Sequence, residues 1–136
     1  MGTLKFSTVK YLCERLEAHN LVLACEIITG PGEEPVLKIE RTKGPPVTVH
    51  VVWAYDFSFA EYLTLSERVR KGDFILTAGF GGTSDEVASN IIEDGRKKGI
   101  GVGNLRRLYG ALNRLDVSTY RTREESAAGT KSSRED

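Results

Sequence analysis

The chain has 136 residues, 40% of them hydrophobic and 28% charged, which is one globular domain long enough to bury a core without metal or disulfide support. Lys plus Arg and Asp plus Glu stand at 19 each, so no global field draws in nucleic acid and only a local basic face can do so. No apolar run approaches the roughly 18 residues of a membrane span, and the N-terminus lacks the basic start and apolar core of a signal peptide; an intracellular, cytoplasmic protein is expected.

Val9, Leu12, Cys13 and Leu16 stand at i, i+3, i+4 and i+7. That spacing predicts a first helix over 7–19, with Ser7 as N-cap. Residues 21–28 are almost wholly apolar and read as a central strand covered on both faces. The turn cluster 30–35 follows, then an alternating strand over 36–41 and a break at 43–46. Residues 47–55, rich in β-branched and aromatic side chains, give the strongest strand signal. Ser58 and Glu61 form a capping box for a helix to about Arg70, with Tyr62, Leu65 and Val69 inward and Gly72 ending it.

A fourth strand is expected over 73–79. Thr83 and Glu86 form a second capping box, opening a helix whose inward face is Val87, Ala88, Ile91 and Ile92. Gly99 after Lys97 and Lys98 is a C-terminal stop. A short strand over 100–103 leads to a last helix, capped by Asn104, with Leu105, Leu108, Tyr109, Leu112 and Leu115 on one stripe. From Asp116 on, large apolar residues are scarce, and 116–136 reads as a frayed polar tail behind a 1–115 domain. The expected fold is α/β: a mixed sheet whose three-strand antiparallel meander is followed by αβαβα, with helical crossovers joining the later strands.

Cys13 and Cys25 fit no metal spacing and read as reduced, structural cysteines; a Cys13–Cys25 disulfide is the alternative, against the rarity of intracellular disulfides outside hyperthermophiles. The chain has no Gln and one Met, a scarcity of thermolabile residues that leans towards a thermophilic source.

This order of elements resembles the core of restriction-type nucleases, Mrr-like nucleases and archaeal Holliday-junction resolvases. The segment 71–113 carries the closest local likeness. Its strand ends in a glycine-containing turn, a helix follows, and Lys98, Gly99 and Ile100 lead into a short strand and a closing helix. The resemblance implies a divalent-metal site. Its parts would be a helix Glu, an Asp on the second strand and an E-x-K on the third, with converging carboxylates holding a hard cation that activates water. Glu14 or Glu17 offers the helix Glu. The second strand has no Asp, only Glu34 ahead of it and then Lys38 and Glu40. Residues 49–55 contain neither Glu nor Lys.

Glu26, Lys38, Glu40, His50 and Asp56 lie on or beside three neighbouring strands. If they converge, Glu26, Lys38, Glu40 and Asp56 are the catalytic candidates, and Glu26, His50 and Asp56 are candidate ligands for Mg²⁺ or Mn²⁺. If they do not, they are the polar face of a half-exposed meander, no cofactor is needed, and Glu26 pairs with a cation such as Lys38.

Two further clusters stand out. Gly81, Gly82, Thr83 and Ser84 run into a helix N-terminus, where free amides favour an anion, although no Walker or dinucleotide motif is present. Lys97, Lys98, Arg106, Arg107 and Arg114 are the densest basic group, either a phosphate-facing patch or solvated helix ends. Trp53, Tyr55, Phe57 and Phe59 alternate, as a stacking face for bases or as sheet cover. Three functions follow. The first is a nuclease-fold, DNA- or RNA-associated protein of weak or no activity. The second is a non-catalytic module that forms homo-oligomers or docks on a larger complex. The third is a small-anion binder at the glycine-rich loop.

Overall fold

A computed structural model describes residues 6–29, 34–79 and 86–122. The fold is α/β. Among the described residues, helices α1 (Phe6–Glu17), α2 (Phe59–Ser66), α3 (Ser89–Lys98) and α4 (Leu105–Ala111) flank strands β1 (Val22–Ile27), β2 (Val36–Arg41), β3 (Val47–Trp53), β4 (Phe74–Ala78) and β5 (Gly101–Gly103). Short 3-10 turns follow β3 (Ala54–Asp56) and α4 (Val117–Thr119). No described helix is long and apolar enough to cross a membrane.

One mixed sheet holds the five strands in chain order, β1-β2-β3-β4-β5. The first three form the expected antiparallel meander, because their connections are too short for a crossover. β3, β4 and β5 run parallel, joined through α2 and α3. Alternating side chains send Leu37, Ile39, Val47, Val49, Val51, Phe74 and Leu76 to one face, where they pack under α1 and α4. Ile75 and Val102 point the other way, under Tyr62 and Leu65 of α2 and Ile91 of α3.

Several boundaries differ from those read in the sequence. Ser7 lies within the first turn of α1 rather than capping it. β1 is an edge strand, not a central one, and Leu23 on it is 66% exposed. An apolar run fixes a strand but not its neighbours. β3 stops at Trp53 and turns into a 3-10 turn. Ser58 caps α2, accepting from the Glu61 amide as expected, but the helix ends at Ser66. The capping box at Thr83 opens no described helix: α3 starts at Ser89, Ala88 is exposed, and Thr83 lies outside the described residues. Gly99, at φ 77°, ends α3 in the left-handed conformation the sequence anticipates. Leu115 is exposed rather than part of the α4 stripe. Residues 116–120 are not frayed, since Val117 is buried in the core with α4.

The buried Arg41 at the end of β2 holds the C-terminal end of α4. Its Nε donates to Pro45 O at 2.8 Å, Nη1 to Leu112 O at 3.1 Å and to Arg114 O, and Nη2 to Leu115 O at 2.8 Å. The last carbonyls of a helix have no intrahelical partner, and a cation there also opposes the helix dipole. Burial lowers the guanidinium pKa, while the Asp116 charge raises it. Gly44 makes room. At φ +93° it adopts a conformation side chains rarely take, and a Cβ there would sit 2.8 Å from Arg41 Nη2. Replacing Arg41 by Ala orphans the buried Leu112 carbonyl and three partly buried ones. Equilibrium denaturation should show a loss of about 3 kcal/mol. Arg41→Lys should recover only part of it, because one ammonium cannot span the fork. An Arg41→Ala protein as stable as wild type contradicts this assignment.

Candidate functional site

The meander brings Glu26, Lys38 and Glu40 to one sheet face. Glu26 stands across from Lys38, Lys38 from Thr48, and Val36 from His50. With side chains alternating, Glu26, Lys38, Glu40, Thr48 and His50 share the face on which α2 and α3 lie. Those helices cover β4, β5 and Val52, and Glu26, Lys38 and Glu40 are exposed. Glu26 is thus not buried among apolar side chains. It sits at a sheet edge opposite a lysine. Glu34, ahead of β2, forms an ion pair with Arg68 after α2.

His50 is engaged elsewhere. Its Nε2 lies 3.1 Å from Asp73 Oδ2, with both side chains 16% exposed. The same Asp73 oxygen accepts from the Arg70 amide at 3.1 Å. One carboxylate thus ties β3 to the turn that starts β4. Asp56 is placed by its backbone alone, in the 3-10 turn beyond β3; its side chain lies outside the described atoms. Glu26 is level with Thr48 at the start of β3, through Lys38. From Thr48 to Trp53, at the end of β3, the strand runs about 17 Å. The backbones of Glu26 and Asp56 therefore lie towards opposite ends of the sheet. Among the described residues no three His, Cys, Asp or Glu side chains form a group that could hold a metal ion.

At the carboxyl ends of β3 and β4 a cleft of about 200 Å³ opens, lined by Ala54, Tyr55, Phe57, Thr77, Glu86 and Val87. The aromatic series divides here. Phe57 and Phe59 pack on the buried Tyr62 at ring distances of 6.4 and 5.7 Å. Tyr55 is 70% exposed, and its ring lies 5.3 Å from that of Trp53. Gly81, Gly82, Thr83 and Ser84, the anion-binding candidates, lie outside the described residues.

The basic cluster also divides. Arg107 is buried, ion-paired to Glu86, with its guanidinium 6.0 Å from the Tyr120 ring, so it cannot serve as a surface phosphate contact. Lys98 pairs with Asp94 at 3.0 Å and lies 5.3 Å from the Tyr62 ring. Lys97, Arg106 and Arg114 are exposed. Lys97 and Lys98 end α3, whereas Arg106 lies in the first turn of α4 and Arg114 just past its end, and the two helices pack on opposite faces of the sheet. Adjacent in sequence, these cations do not make one patch.

Arg41, the His50–Asp73 pair, the Arg107–Glu86 pair and the Tyr62–Asp94–Lys98 group went unread in the sequence. Only Asp94 and Lys98 had a local signal, their i,i+4 spacing. No protein-family model matches the chain, and no characterised protein or solved structure does so either.

Tyr62 donates to Asp94 Oδ2 at 2.7 Å. Burial and then the Asp94 contact raise the phenol pKa, while the Tyr62 hydroxyl, then Lys98, hold the Asp94 carboxyl below its ordinary range. A carboxyl depressed by folding contributes stability that is full above its unfolded pKa, about 3.9, and is lost as pH falls through the lower folded value. Thermal melts of Tyr62→Phe should therefore show a smaller drop in Tm between about pH 5 and pH 2.5 than wild type. Equal drops would show that the hydroxyl does not set the Asp94 pKa.

Proposed function

We propose that the chain is a nucleic-acid-associated protein on a restriction-endonuclease-like scaffold, with weak or no nuclease activity. The observation that carries this reading is the sheet: a helix, an antiparallel meander and two further strands parallel to β3, in the order β1 to β5. That is the element order on which the resemblance rests. The weak activity follows from β3. Where the nuclease pattern needs E-x-K, this strand offers Thr48, His50 and Trp53 on a strand otherwise built of valine, and His50 is bound to Asp73. Any residual metal chemistry would draw on Glu26, Lys38, Glu40 and Asp56 with Mg²⁺ or Mn²⁺.

Nucleic-acid contact falls to the exposed Tyr55 beside Trp53 and to two cations on one side of the sheet, Arg106 on α4 and Arg114 just past it, with Lys97 on the other side left out. An exposed ring stacks on any base, which favours single strands. A second reading is favoured by one observation: the edge strand β1 and the residue after it expose Leu23 at 66% and Ile28 at 53%, a surface suited to a second copy or a larger complex.

With Mg²⁺ or Mn²⁺, the protein should cut duplex, branched and single-stranded DNA poorly or not at all. Efficient cutting that disappears in Glu26→Ala overturns the weak-nuclease reading. Single-strand affinity, read by fluorescence anisotropy, should fall about fivefold or more in Tyr55→Ala. On duplex DNA, log affinity should fall by only ~2 per log unit of salt, two phosphate contacts' worth. If neither Tyr55→Ala nor Arg106→Ala changes binding, the protein-contact reading replaces this one.

A further inference from the structure

We propose that Cys13 and Cys25 are a disulfide-forming pair that clamps α1 to the edge strand β1. Cys13 lies on the inward stripe of α1 and is buried; Cys25 is half-buried on β1, across from Ile39. The Cys13 thiol donates to the Cys25 carbonyl oxygen at 3.1 Å, which brings its sulfur against the backbone of the other cysteine. They are the chain's only two cysteines, so neither has a competing intramolecular partner. Among the described residues β1 has a strand neighbour on one side only, and α1 packs on it. A bond at this point secures the least supported strand of the sheet. The chain's lack of Gln and single Met accord with selection at high temperature, where disulfides inside cells are common.

The chemistry is thiol–disulfide exchange with a low-molecular-mass disulfide such as glutathione disulfide. The accessible Cys25 loses its proton and its thiolate attacks one sulfur of the oxidant, releasing one glutathione thiolate and leaving a mixed disulfide. Cys13, deprotonated in turn, attacks the Cys25 sulfur and expels the second glutathione. Two protein thiols are oxidised, one glutathione disulfide is reduced to two glutathiones, and the two protons pass to the glutathione thiolates. Burial raises both thiol pKa values, and the Cys13 contact raises that of Cys25 further. Exchange is therefore slow, as suits a structural bond rather than a rapid sensor.

The test incubates the full-length native protein with glutathione disulfide at about pH 8.5, the ordinary thiol pKa. Titratable thiols should fall from two to none, the mass should drop by two hydrogens, and a peptide linking 13 to 25 should appear. Tm should rise by about 10 °C, reversed by dithiothreitol. Cys13→Ser should stop at a Cys25–glutathione mixed disulfide. A wild-type mixed disulfide that persists overturns the proposal, because Cys13 then cannot reach Cys25. Two unreacted thiols in the native protein, with oxidation of the unfolded chain in the same buffer, also overturn it, as does an oxidised protein with a lower Tm.

Discussion

The end of α4 imposes the constraint on which the rest depends. The C-cap carbonyl of Leu112 is buried, those of Arg114 and Leu115 just beyond it are partly so, and buried acceptors without donors are costly. Arg41 meets that demand from β2, donating to Leu112, Arg114 and Leu115 and to Pro45 in its own following turn. One guanidinium thus joins the meander, formed early in the chain, to the helix formed last. The surrounding residues follow from it. Gly44 takes a positive φ where a side chain would strike the guanidinium, and the chain after Leu115 turns inward to bury Val117.

With α4 fixed there, one sheet face is covered over β2, β3 and β4 by α1 and α4. His19, in the turn before β1, stacks on Tyr109 of α4 at 4.6 Å. Among the described residues the other face is covered over β4, β5 and the end of β3. The uncovered half carries Glu26, Lys38 and Glu40 as solvated charges, and His50 closes its border by turning to Asp73. The fold thus separates what a metal site would need together: Glu26 is level with the start of β3, and Asp56 follows its end. The half-buried Trp53, the exposed Tyr55 and the cleft lie at the carboxyl ends of the parallel strands, where open α/β sheets generally bind ligands.

The sequence made the strands and caps legible where local physics decides them. β2 alternates, β3 is dense in valine, and Ser58 and Asn104 cap their helices as their side chains allow. It misled where the deciding partner is distant. The apolar run 21–28 marked a strand, but nothing local could say that it has one neighbour only. Thr83 lies outside the described residues, but Glu86, its capping-box partner by spacing, pairs with the buried and distant Arg107, a charge-assisted contact. Arg107 has the sequence signature of a surface cation, since the leucine stripe alone does not include it, yet it adjoins Leu108 on the inward side of α4 and is buried. Arg41 gave no signal, since the carbonyls it serves lie some 70 residues away.

Native-state hydrogen exchange in low denaturant tests most directly whether the meander and the C-terminal helix are one cooperative unit. The amides of Leu37 and Ile39 on β2 and of Leu108 and Leu112 at α4 should converge on a single opening free energy with a common denaturant dependence. If the α4 amides instead exchange through a separate, lower-energy opening while β2 stays protected, Arg41 does not hold the two halves together.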